Sequence, residues 1–146
     1  MDQTKKLGLI QKVKDIQRRC PKDKEIVMTL DDYFDGNDES CCIILANNTN
    51  LNSSADFERF LRQIKNRQDV SDIFIRFCSC DDALDDANTW INSDTVFVVT
   101  SASVDEVGKW FESMEASSVD EEIDLTKFSN LPPIQNGHKL IAVWWD

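Results

Sequence analysis

The sequence predicts one α+β domain, with α/β as the neighbouring alternative: a mixed sheet of about five strands carrying about three helices. Three observations lead there. Short apolar runs rich in β-branched residues alternate with stretches whose apolar residues recur every three or four positions. The 146 residues include only 4 Gly and 3 Pro, with no linker-like stretch and no internal repeat, so residues 1–146 read as a single globular domain. A composition of 41% hydrophobic and 29% charged residues is that of a chain able to bury a core.

Taken in order, Leu9, Val13, Ile16 and Cys20, with Ile10 beside them, fall at helical spacing over 3–19. Lys5, Lys6, Lys12, Lys14, Arg18 and Arg19 fill the other positions as a solvated face, and Pro21 stops the helix. EIVMTL (25–30) and CCIILA (41–46) read as strands, the second more buried, joined as a hairpin by the acidic turn DDYFDGNDES. Ser53 or Ser54 starts a second helix carrying Phe57, Phe60, Leu61 and Ile64 and ending near Gln68. DIFIRFCSC (72–80) follows as a strand with Ile73, Ile75 and Phe77 on one face and Phe74, Arg76 and Cys78 on the other. TVFVVTSA (95–102) is the most apolar strand and belongs at the centre of the sheet. Ser103 and Glu106 have capping-box spacing, and Val107, Trp110, Phe111 and Met114 line one face of a third helix behind them. Residues 116–137 read as an irregular acidic excursion, either a covering flap or mobile, and LIAVWW (140–145) closes the chain as a strand. The order is α-β-β-α-β-β-α-β, whose strand-helix-strand passages favour right-handed crossovers wherever the joined strands are parallel.

Charge narrows the function classes. The net charge is −11, yet residues 1–24 alone sum to +5, so the rest of the chain carries −16. Such a body repels nucleic acid and anionic membrane and draws in basic partners. No apolar run approaches the roughly 20 residues needed to cross a bilayer, and the amino-terminal stretch lacks a secretory apolar core. The expected location is the cytoplasm, where five cysteines stand as free thiols.

Chemical motifs are sparse. No phosphate-cradling glycine loop occurs. DDYFDG (31–36) places Asp and Gly as a calcium-binding EF-hand loop does, but Tyr33 and Cys42 stand where that loop needs oxygen ligands. Cys78 and Cys80 with His138, the one histidine, allow a metal or thiol site to be drawn, against the simpler reading of cysteines as small buried hydrophobes. No cofactor and no catalytic residue is assigned. What stands out is two acidic stretches interleaved with aromatics: Asp31, Asp32, Asp35, Asp38 and Glu39 around Tyr33 and Phe34, and Asp81, Asp82, Asp85 and Asp86 before Trp90. Like charges at i and i+4 repel, so the second cluster costs stability unless a cation or basic partner neutralises it. These ten residues, Trp90 included, form the expected contact set of an acidic protein-binding module that captures a basic protein, in the manner of an immunity-type inhibitor of a toxin. The alternatives are a small enzyme or metal protein using Cys78, Cys80 and His138, and an interaction domain whose charge serves solubility alone. The carboxyl-terminal Trp144 and Trp145 must face opposite ways on a strand, one into the core and the other outward.

Overall fold

Asp2 opens the first helix by accepting a hydrogen bond from the Lys5 N–H at 3.1 Å, and α1 runs Gln3–Arg19. Cys20 leaves it in an extended conformation, as the residue before a proline must. The structure is a computed structural model that describes residues 1–38, 44 and 50–146. β1 (Val27–Thr29) ends in Thr29, whose hydroxyl accepts from the Asp32 N–H at 3.0 Å and starts α2 (Leu30–Phe34). Residues 31–34, expected in a turn, are therefore helical. Leu30, Tyr33 and Phe34 share one helical face and are all buried, which stabilises the helix despite its length. α3 (Ser54–Lys65) is capped by Ser53, and β2 covers Val70–Arg76. A short helix, α4 (Asp81–Asp85), precedes β3 (Thr95–Thr100). Ser103 caps α5 (Val104–Trp110) through the Glu106 N–H at 3.1 Å, and a 3-10 turn at Glu112–Met114 extends it. β4 (Ser118–Glu122) and β5 (Lys139–Trp144) complete a five-stranded sheet in the order β1-β2-β3-β5-β4.

The fold is α+β, with five α-helices among the described residues. All four strand pairings among the described residues are antiparallel, in place of the mixed sheet expected. For β2 and β3, geometry explains this. A parallel crossover needs a helix long enough to travel back along the strand, and the five residues of α4 rise only about 7.5 Å against roughly 23 Å for the seven of β2. β3 lies in the middle of the sheet, as its continuous apolar run predicts, and each of its six residues is buried. The predicted strand 41–46 lies outside the described residues apart from Ile44, which is buried in the core. β1 pairs with β2 on one side and meets a later segment on the other, and the hairpin expected between it and 41–46 lies outside the described residues.

Alternation splits the sheet into two faces. Ile73, Ile75, Val96, Val98, Ile141 and Val143 face the main core, shared with Leu9 and Val13 of α1, Phe57 and Leu61 of α3 and Val107 of α5. Phe74, Phe97, Val99 and Leu140 face the opposite way and are covered by Phe128, Leu131 and Ile134. The excursion at 116–137 is thus a covering element, beginning with the edge strand β4 and continuing as a strap over the second face. Its attachments are specific. The Glu25 N–H donates to the Lys127 carbonyl and the Ser129 N–H to the Glu25 carbonyl, both at 2.8 Å. The Asn130 amide then mimics a strand, accepting from the Val27 N–H at 2.9 Å and donating to the Val27 carbonyl at 2.8 Å. Trp145 enters the main core at 1% exposure, its indole N–H donating to the Met114 carbonyl at 2.7 Å, while Trp144 stays 36% exposed on the other face.

Candidate functional site

The two acidic stretches meet different fates. In the first, each described carboxylate finds a cation from within the fold. Asp31 pairs with Arg62 at 2.7 Å, Asp32 with Lys12 at 2.6 Å, Asp35 with Lys5 at 2.5 Å, and Asp38 with the Met1 ammonium at 2.6 Å. The Arg62 hydrogen bond, reinforced by its charge, holds the Asp31 carboxyl below the usual carboxylate range. Such exposed pairs contribute little stability, but they neutralise the stretch. Tyr33 and Phe34, set among these acids, are buried and present no ring to a partner. Gly36 takes a positive φ of 83° beside the Asp2 and Lys5 side chains, and its carbonyl accepts from the Asp2 N–H at 3.0 Å, closing the stretch onto α1. Glu39 lies outside the described residues.

The second stretch is built over a buried cation. Lys6, expected on the solvated face of α1, is only 2% exposed. Its ammonium donates to the carbonyls of Ala83 at 2.8 Å, Asp86 at 3.0 Å, Thr89 at 3.0 Å and, more weakly, Ala87 at 3.4 Å. These carbonyls include the end of α4, where the helix dipole and the free C=O groups favour a cation. A buried charge is tolerated when its donors are satisfied, and here backbone oxygens satisfy them in place of a carboxylate. Gln3 adds an amide bond to the Ala87 carbonyl at 2.6 Å. Above this cage the acids point outward. Asp86 accepts from the Asn88 N–H at 2.8 Å and the Thr89 hydroxyl at 3.1 Å, and these bonds, with the Lys6 charge adding to them, hold its carboxyl below the usual range. Asp81, Asp82 and Asp85 are exposed, and among the described residues no cation pairs with them. Leu84 is exposed between them. Trp90 is the correction to the expected contact set: it is 1% exposed and packs in the main core, so it anchors the segment from beneath. The pattern that would have revealed Lys6 is its place, three residues before Leu9 and four before Ile10, on the buried stripe of α1.

The cysteine-histidine alternative does not assemble. β2 ends at Arg76, so the strand alternation that would have aimed Cys78 and Cys80 to one side does not reach them. The Cys78 thiol donates to Asp94 at 3.3 Å, whereas Cys80 packs against the main core. His138 precedes β5 and meets Ser71 at 3.1 Å, near the opposite end of β2 from Cys78. Burial, then the Asp94 charge, pushes the Cys78 thiol up to about 11, and burial raises Cys80 as well. Both are poor nucleophiles at neutral pH. Among the described residues no group of three or more His, Cys, Asp or Glu side chains is placed to hold a metal ion.

Asp94 also centres a polar network that no local pattern announces. It accepts from the Thr95 hydroxyl at 2.7 Å and pairs with Arg76 at 3.4 Å; Arg76 reaches Glu25 at 3.2 Å, and Glu25 and Glu122 share Lys127. The network joins β2, the strap and β4 and binds the second face shut.

A model described as the uncharacterized protein YfbO family matches residues 4–143, a span that includes Lys6, both acidic stretches and the strap. The chain belongs to the YfbO family. It is similar to the protein of Escherichia coli (strain K12) described as uncharacterized protein YfbO, with 27% identity over 130 residues covering 82% of each chain. No solved structure matches the chain. No helix among the described residues is long and apolar enough to cross a membrane.

Proposed function

We propose that the chain is an acidic protein-binding module acting in the cytoplasm, capturing a basic protein partner through the 81–86 surface, for example as an immunity-type inhibitor of a toxin. The observation that carries this reading is the contrast between the two acidic stretches. The first is neutralised pair by pair within the fold, while Asp81, Asp82 and Asp85 are left exposed without cations, on a backbone held by Lys6. Three unneutralised carboxylates around exposed Leu84 give a basic partner long-range attraction and an apolar point of contact. Asp86 contributes to the field, the ion-paired Asp31, Asp32, Asp35 and Asp38 add little to it, and Trp90 supports the surface without touching the partner.

The test is kinetic. A basic partner captured at low salt is purified, and its association rate with the wild-type chain is followed as ionic strength rises from about 0.02 to 0.15 M, over which the screening length falls from roughly 20 to 8 Å. The rate should drop steeply with salt, and D81N/D82N/D85N should lower it about tenfold or more at low salt, whereas D31N should leave it nearly unchanged. A rate indifferent to salt, or equally sensitive to D31N, overturns the assignment of the surface.

A further inference from the structure

We propose that the cleft at the carboxyl-terminal end of α1 binds a small phosphorylated ligand. The cleft has a volume of about 570 Å³, within the range of small-molecule sites. Every charged residue lining it is a cation: Lys14, Arg18, Lys22 and Lys24, with Cys20 and Ile26 in the apolar part of its wall. Four like charges around one hollow repel one another, and in a chain of net charge −11 that concentration runs against the composition. The helix dipole accounts for part of it, since the last turn of α1 attracts Arg18. It does not account for Lys22 and Lys24, which lie beyond the helix, nor for Lys14, which precedes its last turn.

Internal partners leave most of this charge available. Arg18 is paired with Asp15 at 3.2 Å, and the Lys24 ammonium donates to the Thr126 carbonyl, fixing one wall of the cleft to the strap. Among the described residues Lys14 and Lys22 pair with no carboxylate. One planar guanidinium and several ammonium groups, reaching a hollow from separate backbone positions, suit a compact polyanion that accepts on several oxygens. The surrounding acidic body decides the size of the anion. An extended polyanion such as a nucleic acid would run from the cleft onto like charge, whereas a phosphate group on a small organic body, resting on Cys20 and Ile26, stays within the positive field.

Inorganic pyrophosphate is the probe, titrated calorimetrically at fixed low ionic strength, with alkylation of Cys20 by iodoacetamide followed by mass spectrometry as a second readout. The expected result is saturable 1:1 binding, slowing of Cys20 alkylation several-fold, and an affinity at least about tenfold weaker in R18Q/K22Q. Both residues are exposed, and an unchanged melting temperature confirms that the variant folds. K109Q, a lysine on α5 outside the cleft, should bind as the wild type does. Four results overturn the proposal: no saturation by about 10 mM, roughly 3 kcal/mol of binding; equal weakening by K109Q, which marks unspecific ionic attraction; binding that leaves Cys20 alkylation unslowed; or tighter binding of hexaglutamate than of pyrophosphate, which reassigns the cleft to an acidic protein segment.

Discussion

Replacing Lys6 by methionine removes the ammonium while keeping most of the aliphatic stem that fills the space beneath α4. Four carbonyls then lose a charged donor, and the bond to Ala83 is fully buried while the other three are partly so. A hydrogen bond to a charged group contributes about 1.5–3 kcal/mol, and a buried acceptor left unsatisfied costs about 1–3 kcal/mol. Water can reach the partly buried carbonyls, so their loss is partial. The expected total is about 3–5 kcal/mol, a large share of the roughly 5–15 kcal/mol that holds a typical domain folded. For a chain of this size it corresponds to a melting temperature lower by about 10–15 °C. Equilibrium urea unfolding measures the loss, with Lys5→Met as the control. Lys5 neighbours Lys6 but makes an exposed ion pair with Asp35, and its replacement should cost no more than about 1 kcal/mol. Equal and small losses in the two variants would refute the carbonyl cage as the organiser of residues 83–89.

Further outcomes follow from the second face and from Cys78. Asn130→Ala removes both amide bonds to Val27, and it should cost about 1–3 kcal/mol and speed hydrogen exchange at the Val27 amide; exchange there as slow as in the wild type would show that the strap does not depend on it. Cys78 should be alkylated more slowly than Cys20 at pH 8 and gain reactivity towards pH 11, and the reverse order at pH 8 would contradict its buried, proton-retaining environment. The folded state holds the Cys78 proton more tightly than the free thiol does. Its contribution to stability is therefore full below the ordinary value of 9.0 and is lost as pH rises from there through about 11, which urea midpoints across that range detect.

Periodicity revealed what periodicity governs. The span of α1, the Ser103 cap, the central place of β3, the opposite faces of Ile73 and Phe74, and the inward-outward division of Trp145 and Trp144 all follow from local pattern. α2 and α4 were hidden because five residues offer little more than one turn of pattern, and acids at their surfaces imitate a loop. β4 was hidden because Ser118–Glu122 is polar on an edge, where burial leaves no alternation to read. The candidate site was legible in its acids and illegible in its support. Composition shows Asp81, Asp82 and Asp85, but the burial of Lys6 depends on a loop roughly eighty residues away, and the neutralisation of Asp31 depends on Arg62 arriving from another helix.

The strap and the charge on β4 leave the two rims of the sheet unequal. Beside β1, the hydrogen-bonding groups of Glu25 and Val27 are already taken by Lys127, Ser129 and Asn130. β4 pairs only with β5 among the described residues, and it carries Asp120, Glu121 and Glu122. With one open rim among the described residues, copies joined strand to strand meet rim against the same rim, an arrangement that closes at two and cannot propagate into a fibre. Even that closed pair would bring together like charge from the Asp120 of each copy, Glu121 and Glu122 already meeting Lys139 and Lys127. The fold thus limits self-association first by geometry and then by charge.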